Sequence, residues 1–92
     1  MNQESLDEES LQGVDTIDDK SYRLVLYNDD FHSFDYVIDA LMDICEHTYE
    51  QAFQCTLLTH HKGKCVVKNG GMELLKPMHN ALINKGLKTE II

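Results

Sequence analysis

An α+β domain, with three helices packed on one face of a small, mainly antiparallel three-stranded sheet, is the fold this sequence predicts. Three observations predict it. Runs with strand chemistry and runs with helical periodicity follow one another in the order strand–helix–helix–strand–helix–strand. Hydrophobic residues make up 42% of the 92, an ordinary globular share that fills only a thin core at this length. The charge is uneven: residues 1–20 hold seven acids against the single base Lys20, while residues 21–92 set nine acids against seven bases. That division predicts a flexible acidic N-terminal extension over 1–20 and a folded domain over 21–92.

Tyr22–Tyr27 (YRLVLY) is nearly continuous in apolar character and reads as a central strand. Asn28-Asp29-Asp30 breaks it, because these side chains bond their own backbone and favour turns. Ser33 is positioned to cap a first helix, with Asp35 in the first turn where a carboxylate suits the dipole. Phe34, Val37, Ile38, Leu41, Met42 and Cys45 form its apolar face, and the helix is expected to stop near His47. Thr48-Tyr49-Glu50-Gln51 matches a capping box that opens a second helix, which Lys62-Gly63 closes with Gly63 in a left-handed conformation. Lys64–Lys68 reads as a short strand and Asn69-Gly70-Gly71 as a turn. A third helix lies within Met72–Lys85. Pro77 predicts that its regular part starts near Lys76, since proline is comfortable only in a first turn. Gly86 ends it, and Leu87–Ile92 reads as a last strand. Lys64, Lys68 and Lys88 are placed to discourage pairing at the sheet edges.

Composition narrows the function classes. No apolar run approaches the roughly 18 residues of a membrane span, and the acidic N-terminus carries no secretory signal, so a cytoplasmic protein is expected. The acidic balance argues against nucleic acid, which requires clustered Lys and Arg. Cys45, Cys55 and Cys65 match neither a CxxC pair nor an even disulfide framework, and are expected as buried or half-buried thiols. The histidines show no paired zinc spacing, and no local signature marks a nucleophile. A non-enzymatic protein without metal or cofactor is expected.

Two polar features remain: Asn28-Asp29-Asp30 at a strand end and His60-His61 at a helix end. Each has an ordinary structural explanation, as turn residues and as helix C-terminal residues favoured by the dipole. Together they also suit the capture of a free protein N-terminus, which presents an ammonium with three donors and a first side chain. Asn28 offers an amide oxygen, neutral His60 one acceptor nitrogen, and Asp29 and Asp30 a negative potential. Thr56, Thr59 and His60 share one face of the second helix, and Phe34 and Val37 one face of the first. If those faces meet near Asn28, they enclose an apolar pocket with a polar rim.

Asn28-Asp29-Asp30 after a strand, then Val37, Ala52, and His60 three residues before Gly63, resemble the pattern of the ClpS adaptor family. There an NDD turn leads into a helix and a second helix ends in HxxG. The resemblance covers residues 21–92. It implies that Asn28 and His60 hydrogen-bond the α-amino group of an N-degron substrate. Asp29 and Asp30 would lie at the amino group or first peptide unit. His32, Phe34, Val37, Thr56, Thr59 and Leu87 would shape a pocket for a bulky hydrophobic first residue. The implied partners are a ClpA- or ClpC-type AAA+ unfoldase with ClpP, with Glu73 and Lys76 as candidate docking residues, residues 1–20 engaged in delivery, and the adaptor itself a monomer. His32, Ser33 and Phe34 stand where the family commonly has Thr, Pro and Met. Thr56 and Thr59 stand where Met and Val are frequent, and their hydroxyls are expected to make the pocket more polar. The alternative is a ClpS-like interaction module that binds an AAA+ partner without reading N-termini.

Overall fold

Strand β1, Tyr22–Tyr27, forms the middle of the sheet because both its neighbours pair with it and not with each other. The structure is a computed structural model and describes residues 21–92; the expected flexible extension over 1–20 lies outside the described residues. The elements that follow are α1 (Phe34–Ile44), α2 (Tyr49–Lys62), β2 (Lys64–Gly70), α3 (Met72–Asn84) and β3 (Lys88–Ile91). The sheet order is β2-β1-β3, antiparallel throughout. Leu24 and Leu26 of β1, 0% and 1% exposed, face a core completed by Ile38, Leu41, Ala52, Leu75 and Leu82 from the three helices. Alternation along β1 therefore puts all three helices on one face.

Capping chemistry starts the first two helices where the residues predict. The Ser33 hydroxyl accepts the Tyr36 N–H at 3.1 Å. Thr48 and Gln51 form both bonds of the capping box, at 2.9 and 3.1 Å. Helix α1 ends at Ile44, earlier than the expected stop near His47. Glu46 takes a left-handed backbone, φ 60°, which cannot continue a right-handed helix. Helix α2 ends as read, with Gly63 at φ 91° and its N–H donating to the Thr59 carbonyl.

The second half departs more. β2 runs two residues beyond Lys68, because Asn69 and Gly70 find partners in Arg23 and Tyr22. The expected turn shrinks to Gly71, the N-cap of α3. A bulge at Val67 shifts the register, so that Leu24 faces Lys68 and Val25 faces Val66. Lys68 does not guard the edge; its ammonium donates to the Cys45 carbonyl at the end of α1, at 3.2 Å. Helix α3 begins at Met72 rather than near Lys76, its first turn closed by the Leu74 and Leu75 N–H groups on the Gly71 carbonyl. Pro77 lacks the N–H that the Glu73 carbonyl would accept, but Glu73 is exposed and water can serve it. Leu75 and Leu82, both fully buried, and Met78 hold the helix against the sheet.

Candidate functional site

The loop after β1 is organised by one carboxylate. Asp29 Oδ1 accepts the backbone N–H groups of Phe31 and His32, at 2.8 and 2.9 Å. Its Oδ2 accepts from His32 Nδ1 at 2.9 Å. Burial alone would raise the Asp29 pKa. The bonds from the His32 and Phe31 backbone and the His32 ring outweigh it and hold the carboxyl below its ordinary value. Asp29 is therefore ionised, and His32 Nδ1 is the donor in their contact. The loop then delivers Ser33 to its capping position, and α1 begins.

A backbone bond brings the end of α2 to this loop. The Asn28 N–H donates to the Gly63 carbonyl at 2.9 Å, continuing the β1–β2 pairing by one step. His60 lies three residues before Gly63, less than one helical turn. That spacing brings His60 and Asn28 to the lining of the same cavity. The same face of α2 carries Thr56 and Thr59, 4% and 5% exposed. Each hydroxyl donates to the carbonyl four residues earlier, Ala52 for Thr56 and Cys55 for Thr59, both at 2.7 Å. The hydroxyl protons are thus used within the helix, and toward the cavity each oxygen can act only as an acceptor. From α1, the Phe34 ring meets the edge of Phe53 at 5.5 Å, with half-buried Val37 one turn on.

These parts surround one cavity of about 290 Å³. Asn28, Asp29, Asp30 and His60 line it, as do His32, Phe34, Val37, Thr56, Thr59 and Leu87. Leu26, Tyr27 and Ser33 also line it, although the sequence gives them only strand and capping roles. Those roles are local, and only the β1-to-α1 reversal makes the same residues part of a wall. Glu73 and Lys76 are exposed on α3 and take no part in the cavity.

The side chains of Asn28, Asp30 and His60 are exposed and make no hydrogen bond among the described residues; the His60 ring lies edge-on to the His61 ring at 5.5 Å. The site therefore combines apolar side chains from β1, α1 and the β3 approach with unspent acceptors at its mouth. No cysteine lines it. Burial pushes the Cys45 thiol up to about 11, and burial with the neighbouring Cys65 pushes Cys55 up to about 12, so neither is primed as a nucleophile. No helix among the described residues is long and apolar enough to cross a membrane.

Comparison with known proteins agrees with the fold and with the family resemblance. The family model described as ATP-dependent Clp protease adaptor protein ClpS matches residues 18–90. The ClpS adapter of Thermosynechococcus vestitus is 32% identical over 68 residues, 73% of this chain and 72% of that protein. That of Campylobacter jejuni is 36% identical over 55 residues, 60% of this chain and 57% of that protein. The structure of Agrobacterium tumefaciens ClpS2 bound to L-phenylalaninamide shares the fold, with a TM-score of 0.69 at 19% identity over 79% of this chain and 95% of that one. With its three-stranded sheet, three helices and family match across nearly the whole described domain, the chain belongs to the ClpS family of Clp protease adaptors.

Proposed function

We propose that the cavity holds the first residue of a protein substrate: the α-ammonium at the Asn28, Asp30 and His60 rim, and a bulky hydrophobic side chain inside. The observation that carries this reading is the convergence of unspent acceptors on a cavity of about 290 Å³ that Leu26, Phe34, Val37 and Leu87 also line. Small-molecule pockets run from roughly 300 to 1,000 Å³, so this one is sized for a single large side chain. The structurally similar ClpS2 binds L-phenylalaninamide, an α-amine joined to an aromatic side chain, which supports the same ligand class here. Asp29 contributes charge and organises the loop.

As an adaptor, the protein catalyses nothing itself. It delivers the N-degron substrate to a ClpA- or ClpC-type AAA+ unfoldase with its ClpP peptidase, in the cytoplasm and as a monomer. Glu73 and Lys76, exposed on α3 away from the cavity, are the proposed docking residues, and residues 1–20 the extension used in delivery.

The test is a panel of short peptides that differ only at the first residue, each with a free and an acetylated N-terminus. Free Leu, Phe, Tyr and Trp peptides should bind, and acetylation should abolish most of the affinity, because it removes the charged donors. Equal binding of free and acetylated peptides overturns the reading. It then favours an interaction module for an AAA+ partner, whose binding would survive Asn28→Ala and His60→Ala.

A further inference from the structure

One polar atom at the cavity is both held in place and unused. The His32 ring is fixed from several directions. Nδ1 donates to Asp29 Oδ2 at 2.9 Å, and the ring stacks on Tyr36 with centroids 5.0 Å apart and planes 22° from parallel. Tyr36 is itself tied down, its hydroxyl donating to the Lys85 carbonyl at 2.8 Å. With Nδ1 carrying the proton, Nε2 of the neutral ring is an acceptor.

Nε2 has no hydrogen-bond partner among the described residues and is not enclosed. It lies against Gly86, 3.1 Å from where a Cβ would stand, and Gly86 at φ 83° has a backbone few other residues adopt. The absent side chain leaves space in front of the imidazole. The next residue, Leu87, is 3% exposed and lines the cavity, as His32 does. His32 therefore brings an unpaired, preorganised acceptor to a cavity that Phe34, Val37 and Leu87 also line. Thr56 and Thr59 donate their hydroxyl protons within α2 and so can also only accept from a ligand; substitution of His32 alone separates Nε2 from them.

We propose that His32 determines specificity within the cavity: its Nε2 accepts a hydrogen bond from a donor at the tip of the bound side chain, so that a first residue of Tyr is preferred over Phe. This rests on the proposed seating of a substrate's first side chain there. Asp29, Tyr36 and Gly86 act as positioning residues. Phe and Tyr share an aromatic body, so the difference between them isolates the hydroxyl. A neutral hydrogen bond of ordinary net strength corresponds to a preference of roughly two- to tenfold.

The experiment measures the affinities of two peptides that differ only in Tyr or Phe at the first position, on the full chain, on His32→Phe and on His32→Gln. The unsubstituted chain should prefer Tyr by roughly two- to tenfold. His32→Phe, which keeps an aromatic ring but no acceptor, should lose the preference. His32→Gln, which restores an acceptor at similar reach, should recover part of it. A direct reading on the unsubstituted protein is the ¹⁵N resonance of His32 Nε2, which should move with the Tyr peptide and not with the Phe peptide. Equal or tighter binding of Phe, a preference that survives His32→Phe, or an Nε2 resonance indifferent to Tyr overturns the proposal. Acetylated versions of both peptides separate the failures. If free and acetylated forms bind alike, the N-terminus reading has failed and this inference with it. If acetylation matters and the Tyr–Phe ratio does not follow His32, only the role of His32 falls.

Discussion

His32 Nε2 apart, the walls and the mouth of the cavity treat their polar groups in opposite ways. In the walls, Asp29 accepts three hydrogen bonds from its own loop, and Thr56 and Thr59 donate back into α2. At the mouth, Asn28, Asp30 and His60 are exposed, with no side-chain hydrogen bond among the described residues. A group satisfied internally shapes the site and adds little to ligand energetics. A hydrated, unpaired group costs the fold nothing and remains free for a ligand. The contrast separates residues that build the site from residues proposed to use it, and substitutions can test it on each side.

The largest effect belongs to the mouth. Asn28→Ala and His60→Ala should each weaken binding of a free-N-terminus peptide by roughly tenfold to a hundredfold, the worth of a hydrogen bond to a charged group. Their melting temperatures should scarcely move, since exposed residues without partners rarely matter to stability. Affinities within about twofold of the parent would remove the distinction.

Asp29→Ala should act through the fold. Losing the carboxylate leaves the Phe31 and His32 N–H groups without their acceptor and is expected to cost about 1–2 kcal/mol. In a domain this small that lowers the melting temperature by several degrees. A melting curve like that of the parent would show that other contacts organise the loop.

A smaller effect is its acid counterpart. The Asp29 carboxyl titrates below its ordinary value of 3.8 in the folded state, so the unfolded chain takes up the proton first. Its contribution is complete above the unfolded value and is lost as pH falls through the folded one. Urea midpoints should therefore fall with acid below about pH 4, less steeply in Asp29→Ala than in the parent. Identical slopes would exclude Asp29 as a source of the acid sensitivity.

The smallest effect is expected in the walls of α2. Thr56→Val and Thr59→Val remove hydroxyls whose protons already serve the helix, so peptide affinity should stay within about threefold. A loss of tenfold or more would place those hydroxyls against the ligand.

Much of the domain was legible in the residues. Ser33, the Thr48–Gln51 box and Gly63 act through partners within four positions, and those helix ends form as their chemistry predicts. Part of the cavity lining was also legible: helical spacing put Thr56, Thr59 and His60 on one face and Phe34 and Val37 on another, whereas His32 and Leu87 came only with the family resemblance. Less so were the start of α3 and the end of β2. Pro77 argues locally for a later helix, and Asn69-Gly70 for a turn. Burial of Leu75 and Leu82 overrides the first, and pairing with Tyr22 and Arg23 overrides the second.

The sequence by itself determined the order of elements, the helix caps and the acceptors at the mouth, because each depends on side chains acting on their own stretch of backbone. Only the tertiary structure decided that those acceptors and the apolar faces share one cavity. That required the Asn28 N–H to meet the Gly63 carbonyl and α1 to lie against α2. The bonds of Asp29, Thr56 and Thr59 stay on the local side of this division, each within four positions of its own loop or helix. Contacts between elements far apart in the chain depend on how their packed faces meet, which residue type alone does not specify.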